Sequence, residues 1–419
     1  MQQQLSQLIR NRKVLGSASL ATADIAAKAI ALAITPYIAN RMGAASFGTL
    51  NLYLSATEII AFALFLGGPA LVTAEYVREG YTSARGLRAA SIHWSLQVAV
   101  VLLVASALIS SGAPHSLPLA IGALIIIVSY VQGLNTLELA YYRGAQEYRV
   151  AVIGQFSFAV LNVAFTVVAF EIYKATAANR LLAIALAGGL VQLAYAIELR
   201  RKYYQTPDRS TQQANRSLII SFGLSISAYV ISQWVRSSVD RFVLTAYAGV
   251  SAAGIYSVAL TSVTVPAIFF SIINQQLQPY LYRRLKERNF GGFRRIQFWI
   301  VFLVACVMPF YYWVLIAFFD RIFDPQYQPA KALIPALLGA SMAQSMYHIF
   351  THAAFYERRG NYISSLTALG LVTHLLGLGT LAALGQVTPS RVALVYLLSS
   401  SAVTLGMAFL SQRTVSHLA

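Results

Sequence analysis

The chain has 419 residues, of which 58% are apolar and only 11% charged, and its mean hydropathy is +0.62; that balance excludes a soluble globular domain and points to an integral membrane protein. The net charge of +17 would suit a nucleic-acid partner, but the basic residues fall in short segments between apolar runs, where they face anionic membrane lipids instead. The single cysteine, Cys306, lies inside an apolar run, which excludes a disulfide framework and a cysteine-based metal site.

Twelve apolar segments, each near the roughly 20 residues that one crossing needs, follow one another along the chain. The first covers residues 14–38. It follows basic residues as a signal peptide would, but its length and its Asp24 and Lys28 predict an uncleaved first helix. The second covers residues 47–72 and contains Asn51 and Glu58. A basic stretch, residues 75–88, returns the chain on the cytoplasmic side, and residues 112–116 turn it on the outer side. Residues 140–149 and 173–179 are the next inner and outer connections. Residues 200–216, with Pro207 and a run of Ser, Thr and Gln, are the longest polar piece and read as a linker between a first half, 1–199, and a second half, 217–419. With the N-terminus inside, the inner connections carry about three times the Lys and Arg of the outer ones, which orients both ends in the cytoplasm.

The two halves repeat one plan. At an offset of 206 residues Gly43 matches Gly249, Gly48 matches Gly254, Tyr76 matches Tyr282, Arg78 matches Arg284, Gly86 matches Gly292 and Arg88 matches Arg294. Further on, Ala354-Phe-Tyr356 with Tyr362 answers Ala140-Tyr-Tyr142 with Tyr148 at an offset of 214, and the extra residues fit in the outer segment 320–331. An even number of spans per half makes the repeat parallel, with a pseudo-twofold axis along the membrane normal and a working cavity between the halves.

Charges inside the spans are the functional signal, because they are costly there and usually face a polar cavity. Asp24 and Lys28 are four apart, as are Arg236 and Asp240, so each pair shares a helical face and is expected to neutralise itself in part. Lys28 lies 15 residues before Gly43 and Arg236 lies 13 before Gly249, a difference in depth of roughly 3 Å. One reading makes these pairs structural glue; the other makes Lys28 and Arg236 two cations facing a wet cavity and suited to a dianionic phosphate group. Arg241 either joins that cavity or snorkels to the interface. Glu58, without an obvious partner at i,i+3 or i,i+4, reads either as a third candidate proton carrier beside Asp24 and Asp240, if buried, or as a carboxyl hydrogen-bonded within its own half. His348 and His352 share a helical face; a third metal ligand is missing, so they read as proton-relay or water-facing groups, with His374 on the following span. Asn274, Gln275 and Gln276, with Asn51, are polar groups able to meet sugar hydroxyls or to bond neighbouring helices. No P-loop, H-E-x-x-H or G-x-S-x-G motif occurs.

Three stretches carry a family resemblance: Arg41-Met-Gly-Ala-Ala-Ser-Phe-Gly48, Asp240-Arg-Phe-Val-Leu244 with Gly254-Ile-Tyr-Ser-Val-Ala259, and Ile322-Phe-Asp-Pro-Gln-Tyr327. In their order and spacing the chain resembles the polysaccharide transporter family, the lipid-linked oligosaccharide flippases of the multidrug/oligosaccharidyl-lipid/polysaccharide exporter superfamily. The resemblance implies an all-α membrane protein with twelve helices in two six-helix bundles forming a V. It implies a monomer in the bacterial inner membrane that moves an undecaprenyl-diphosphate-linked glycan, such as an O-antigen unit, by alternating access. It further implies a coupling proton or sodium ion, no other cofactor, and glycan polymerase and chain-length machinery as partners. Its basic-cavity pattern carries over only to Lys28 and Arg236. The rival readings are a cation-coupled drug antiporter of the same fold, a membrane glycosyltransferase or polymerase, which would need a sizeable outer loop with catalytic carboxylates, and a scaffold protein.

Overall fold

The computed structural model describes residues 2–112, 118–202, 209–357 and 359–418. Its helices are α1 (Gln2–Phe65), α2 (Gly68–Glu79), α3 (Tyr81–Gly112), α4 (Leu119–Gly144), α5 (Tyr148–Ile172), α6 (Ala177–Lys202), α7 (Arg209–Ala248), α8 (Val250–Lys286), α9 (Phe290–Ile322), α10 (Ile334–Tyr356), α11 (Gly360–Ala383) and α12 (Pro389–Leu418), with a 3-10 helix, Pro325–Ala332, before α10. The described residues include no strand, as expected of backbone that must satisfy its own polar groups within lipid.

Ten stretches among the described residues are long and apolar enough to cross a membrane. The first, Thr22–Phe65, is 44 residues long and is broken at Gly43, so it supplies two crossings. α10, at 23 residues, is about 35 Å long and spans by length, although Gln344, His348 and His352 interrupt its apolar sequence. Together these make the twelve crossings that the sequence predicts.

The expected second helix is shorter than its apolar run. Leu66 and Gly67 take positive φ values of 44° and 76°, and Pro69 sits in the first turn of α2, where a missing N–H costs nothing. The helix therefore ends at Phe65 and not at residue 72, and most of the expected basic return is helical, interrupted at Gly80.

The glycines matched at offset 206 share a conformation. Gly43 (φ 74°, ψ 164°) and Gly249 (φ 89°, ψ 161°) both lie in a region open essentially to glycine alone. Gly48 and Gly254 are matched by close approach: a Cβ on Gly254 would lie 1.9 Å from the Ala44 carbonyl oxygen, and one on Gly48 would lie 2.2 Å from that of Val250. The two motifs thus pack backbone to backbone. Gln326, from the 3-10 helix, accepts the Ala44 N–H at 3.1 Å and satisfies a donor that the break would otherwise leave open. Tyr327 beside it is fully buried and packs edge-on against Phe47; burial, with Asp324 nearby, raises its phenol pKa.

By packing, the chain forms two compact units, Met1–Arg41 with Tyr53–Ile231, and Met42–Leu52 with Ser232–Ala419. The division at 231/232 falls inside α7; of the expected linker, residues 203–208 lie outside the described residues. In the first unit α4 packs against α2, α3, α5 and α6, around Phe65, Leu87, Leu137, Tyr141 and Tyr142. In the second, α10 packs against α8, α9, α11 and α12. Exposed apolar side chains such as Leu108, Phe310 and Leu405 are those a bilayer would cover.

Candidate functional site

In the first unit the expected i,i+4 pair forms. Lys28 Nζ donates to Asp24 Oδ2 at 2.9 Å, with the Lys28 side chain half exposed. The other oxygen of Asp24 is taken by Gln155 of α5, whose Nε2 donates to Oδ1 at 2.6 Å. Gln155 also lines a cavity of about 330 Å³ with Gln132, Asn135, Thr136, Phe158 and Tyr195. Asn135 Nδ2 and Gln155 Oε1 are buried and unpartnered there, one open donor and one open acceptor.

Glu58 is exposed and engaged with a neighbour, so a buried carboxyl without a partner is not what the fold provides. Asn51 turns back on its own helix and donates to the Phe47 carbonyl at 2.8 Å, as short polar side chains do when the nearest acceptor is one turn away.

In the second unit the expected Arg236–Asp240 pair is absent. Asp240 is buried and has two other partners: Tyr256 Oη donates to Oδ2 at 2.5 Å and His374 Nε2 lies 2.8 Å from Oδ1. His374, fully buried, meets Ser399 Oγ through Nδ1 at 3.2 Å. Sharing a helical face made Arg236 reachable, but partners on α8 and α11 meet both carboxylate oxygens. Arg236 is left with Ser400, to which Nη2 donates at 3.3 Å, and its buried Nε has no partner. It lines a small cavity of about 20 Å³ with Gln233, Gln344, Tyr347, His348, Ser400 and Thr404. Gln344 and His348 also line a larger one of about 170 Å³, which reaches Ser271 and Asn274. Arg241 is part-buried and donates to the Ser237 carbonyl at 3.4 Å.

His352 Nε2 lies 2.8 Å from Asn274 Oδ1, so the polar run on α8 and the histidine face of α10 meet at that pair, while His348 lines the cavities. The side chains of Gln275 and Gln276 lie outside the described residues. Among the described residues no group of three His, Cys, Asp or Glu gathers as a metal site.

Sequence reasoning missed the partnership of His374 with Asp240, and the buried ion pair of Arg88 on α3 with Glu138 on α4. Arg88 was visible as a repeat position, but its partner is 50 residues away and no spacing rule connects them.

The family described as polysaccharide biosynthesis protein matches residues 14–285, well over half of the chain. The chain belongs to that family. No curated protein matches it, but solved structures do. It is similar to a multidrug resistance MATE family transporter of the MOP superfamily in its inward-facing conformation, at 14% identity over 94% of this chain and 95% of that one, with a TM-score of 0.70. The outward-facing form of such a transporter matches with a TM-score of 0.61, at 14% identity over 97% and 96%. A MOP superfamily transporter from Pyrococcus furiosus matches with a TM-score of 0.55, at 14% identity over 97% and 94%. Family and apolar helices make this a multi-pass membrane protein of the polysaccharide biosynthesis family, with a fold like that of those transporters.

Proposed function

We propose that the protein flips a lipid-diphosphate-linked oligosaccharide by alternating access, with Arg236 engaging the diphosphate. The observation that carries this reading is the state of Arg236, a guanidinium within a span, with no carboxylate partner among the described residues and an open Nε, in a cavity of hydroxyl and amide groups. A cation at such depth costs roughly 3 kcal/mol, and a phosphate offsets that cost by taking parallel N–H donors, which a guanidinium presents and an ammonium does not. The hydroxyls and amides around Arg236 suit sugar hydroxyls. In the first unit, Asn135 and Gln155 offer an open donor and acceptor, and Lys28, paired with Asp24, a point charge. Both ends lie in the cytoplasm of the inner membrane in this reading, and the cargo is an O-antigen or exopolysaccharide unit on undecaprenyl diphosphate. Glycan polymerase and chain-length machinery are its partners, the chain works as a monomer, and a proton or sodium ion drives it. The reaction changes no covalent bond.

The fold shared with multidrug MATE transporters supports a second reading, export of cationic compounds. The P. furiosus relative is described as having a binding pocket of reversed polarity that suggests a different function, so in this fold pocket charge is the feature to test. Arg236→Ala should abolish export and make lipid-linked glycan accumulate on the cytoplasmic face, with the protein still present in the membrane; Arg236→Lys should restore part of it and Lys28→Ala should weaken it less. Full export by Arg236→Ala and by the Lys28→Ala/Arg236→Ala double variant would sink the diphosphate reading, and cation efflux in its place would establish the second.

A further inference from the structure

We propose that Asp240 and His374 form the proton-binding site that couples this transporter to the proton gradient. The inference rests on the transporter reading; its cellular test also rests on the glycan cargo, and its spectroscopic test does not. The two side chains come from α7 and α11 and are 134 residues apart. Both are buried, at 3% and 0% exposure. A buried imidazole whose Nε2 faces a carboxylate at 2.8 Å holds a proton between the two groups, and its Nδ1 meets Ser399 Oγ at 3.2 Å, which itself donates to the Tyr396 carbonyl at 3.1 Å. In a buried couple the proton belongs to the pair and not to either residue.

The surroundings favour a proton over a metal cation. Sodium would need several free oxygen ligands, whereas Asp240 Oδ2 already receives the Tyr256 hydroxyl at 2.5 Å and Oδ1 faces the imidazole. The groups that face the couple are Arg236 and Arg241 from α7, Tyr256 from α8, and Tyr396 and Ser399 from α12. Tyr396 lies within electrostatic reach of Arg236, Asp240 and Arg241 and stacks edge-on against the His374 ring, with centroids 5.8 Å apart. From α10, His348 lines the cavity beside Arg236.

One of two adjoining cavities is lined by a chain neighbour of Ser399 on α12, although neither Asp240 nor His374 lines either of them. Ser399 is followed in the chain by Ser400, which holds Arg236 at the small cavity. That cavity shares Gln344 and His348 with the larger one that reaches Asn274. A proton from water on one side of the membrane adds to the couple, and the same proton returns to water on the other side after the transporter has changed state. No bond between heavy atoms forms or breaks. Loading the couple removes one negative charge a single helical turn from Arg236, so proton and anionic group are linked.

The test uses the full chain in liposomes, with infrared difference spectra between pH 8 and pH 5.5 reading carboxyl and imidazole protonation. The wild type should show a titrating signal that Asp240→Asn and His374→Gln both lose completely and that Arg236→Ala retains. In cells, both couple variants should accumulate in the membrane yet export glycan with no dependence on external pH, and Asp240→Glu should restore that dependence. Spectra that titrate identically in the wild type, Asp240→Asn and His374→Gln would overturn the proposal, as would a sodium-induced change at fixed pH that Asp240→Asn abolishes. A retained proton signal together with normal glycan export by Arg236→Ala would count against the diphosphate reading while leaving this site standing.

Discussion

Arg88 and Arg294 occupy matched positions of the two repeats at offset 206, and Glu138 and His352 occupy matched positions at offset 214, yet the two pairs are used differently. In the first unit Arg88 and Glu138 form a buried ion pair, with Arg88 also lying over the Tyr141 ring at 5.7 Å. In the second, Arg294 is exposed and donates to Ser416 at 3.2 Å, while His352 turns to Asn274. The same backbone plan thus carries a closed polar contact in one half and, in the other, a neutral pair continuous with a polar cavity. The difference is chemical: the buried Glu138 carboxylate is matched by the Arg88 guanidinium, whereas His352 meets an amide through Nε2, keeps a buried Nδ1 without a partner, and calls for no cation, so the matched arginine stays at the surface.

Breaking the closed contact should have the largest effect. Glu138→Ala leaves a buried guanidinium unpaired and should lower stability by about 3–5 kcal/mol, read as a fall in the thermal midpoint of the purified protein; Arg88→Met with Glu138→Leu should recover much of it. A Glu138→Ala protein as stable as the wild type would show the pair to be dispensable. The motif common to both halves comes next. Gly249→Ala meets no side chain within 4 Å, so its cost is backbone strain alone, about 1–3 kcal/mol, whereas Gly254→Ala meets the Ala44 carbonyl and should also reduce export. Equal behaviour of the two would refute the separation of turn from close approach.

On the open side, His352→Ala removes one partner of Asn274 and should cost about 1–2 kcal/mol, less than Glu138→Ala at the matched position; the reverse order would dissolve the contrast between the halves. The smallest effect should be that of Asn51→Ala, below about 0.5 kcal/mol with export unchanged, since the amide only returns to its own helix. A loss of export there would put Asn51 back among the cargo contacts.

Which features were legible in the sequence depends on how local they are. The glycine pairs were legible because a repeat at constant offset survives in the sequence and because positive φ has a residue signature. Asp24 with Lys28 was legible because four residues are one helical turn, so the contact is local. By the same rule Arg236 should have paired with Asp240, and there the rule failed. Its geometry permits the pair but says nothing about competitors arriving from α8 and α11, and Tyr256 and His374 are nearer both oxygens. Whether Glu58 is buried was not legible for a related reason, since an apolar neighbourhood along a helix does not reveal whether the face is covered.

Hydropathy, charge placement and the internal repeat determined from sequence alone that the chain crosses the membrane about twelve times in two related halves, because each of these is a property of consecutive residues. Only the tertiary structure decided which charges are matched. Ion pairing depends on distances of a few ångströms between side chains from different helices, and helix packing sets those distances. That is why Asp240 belongs with His374, and why Arg236 is left without an anion of its own.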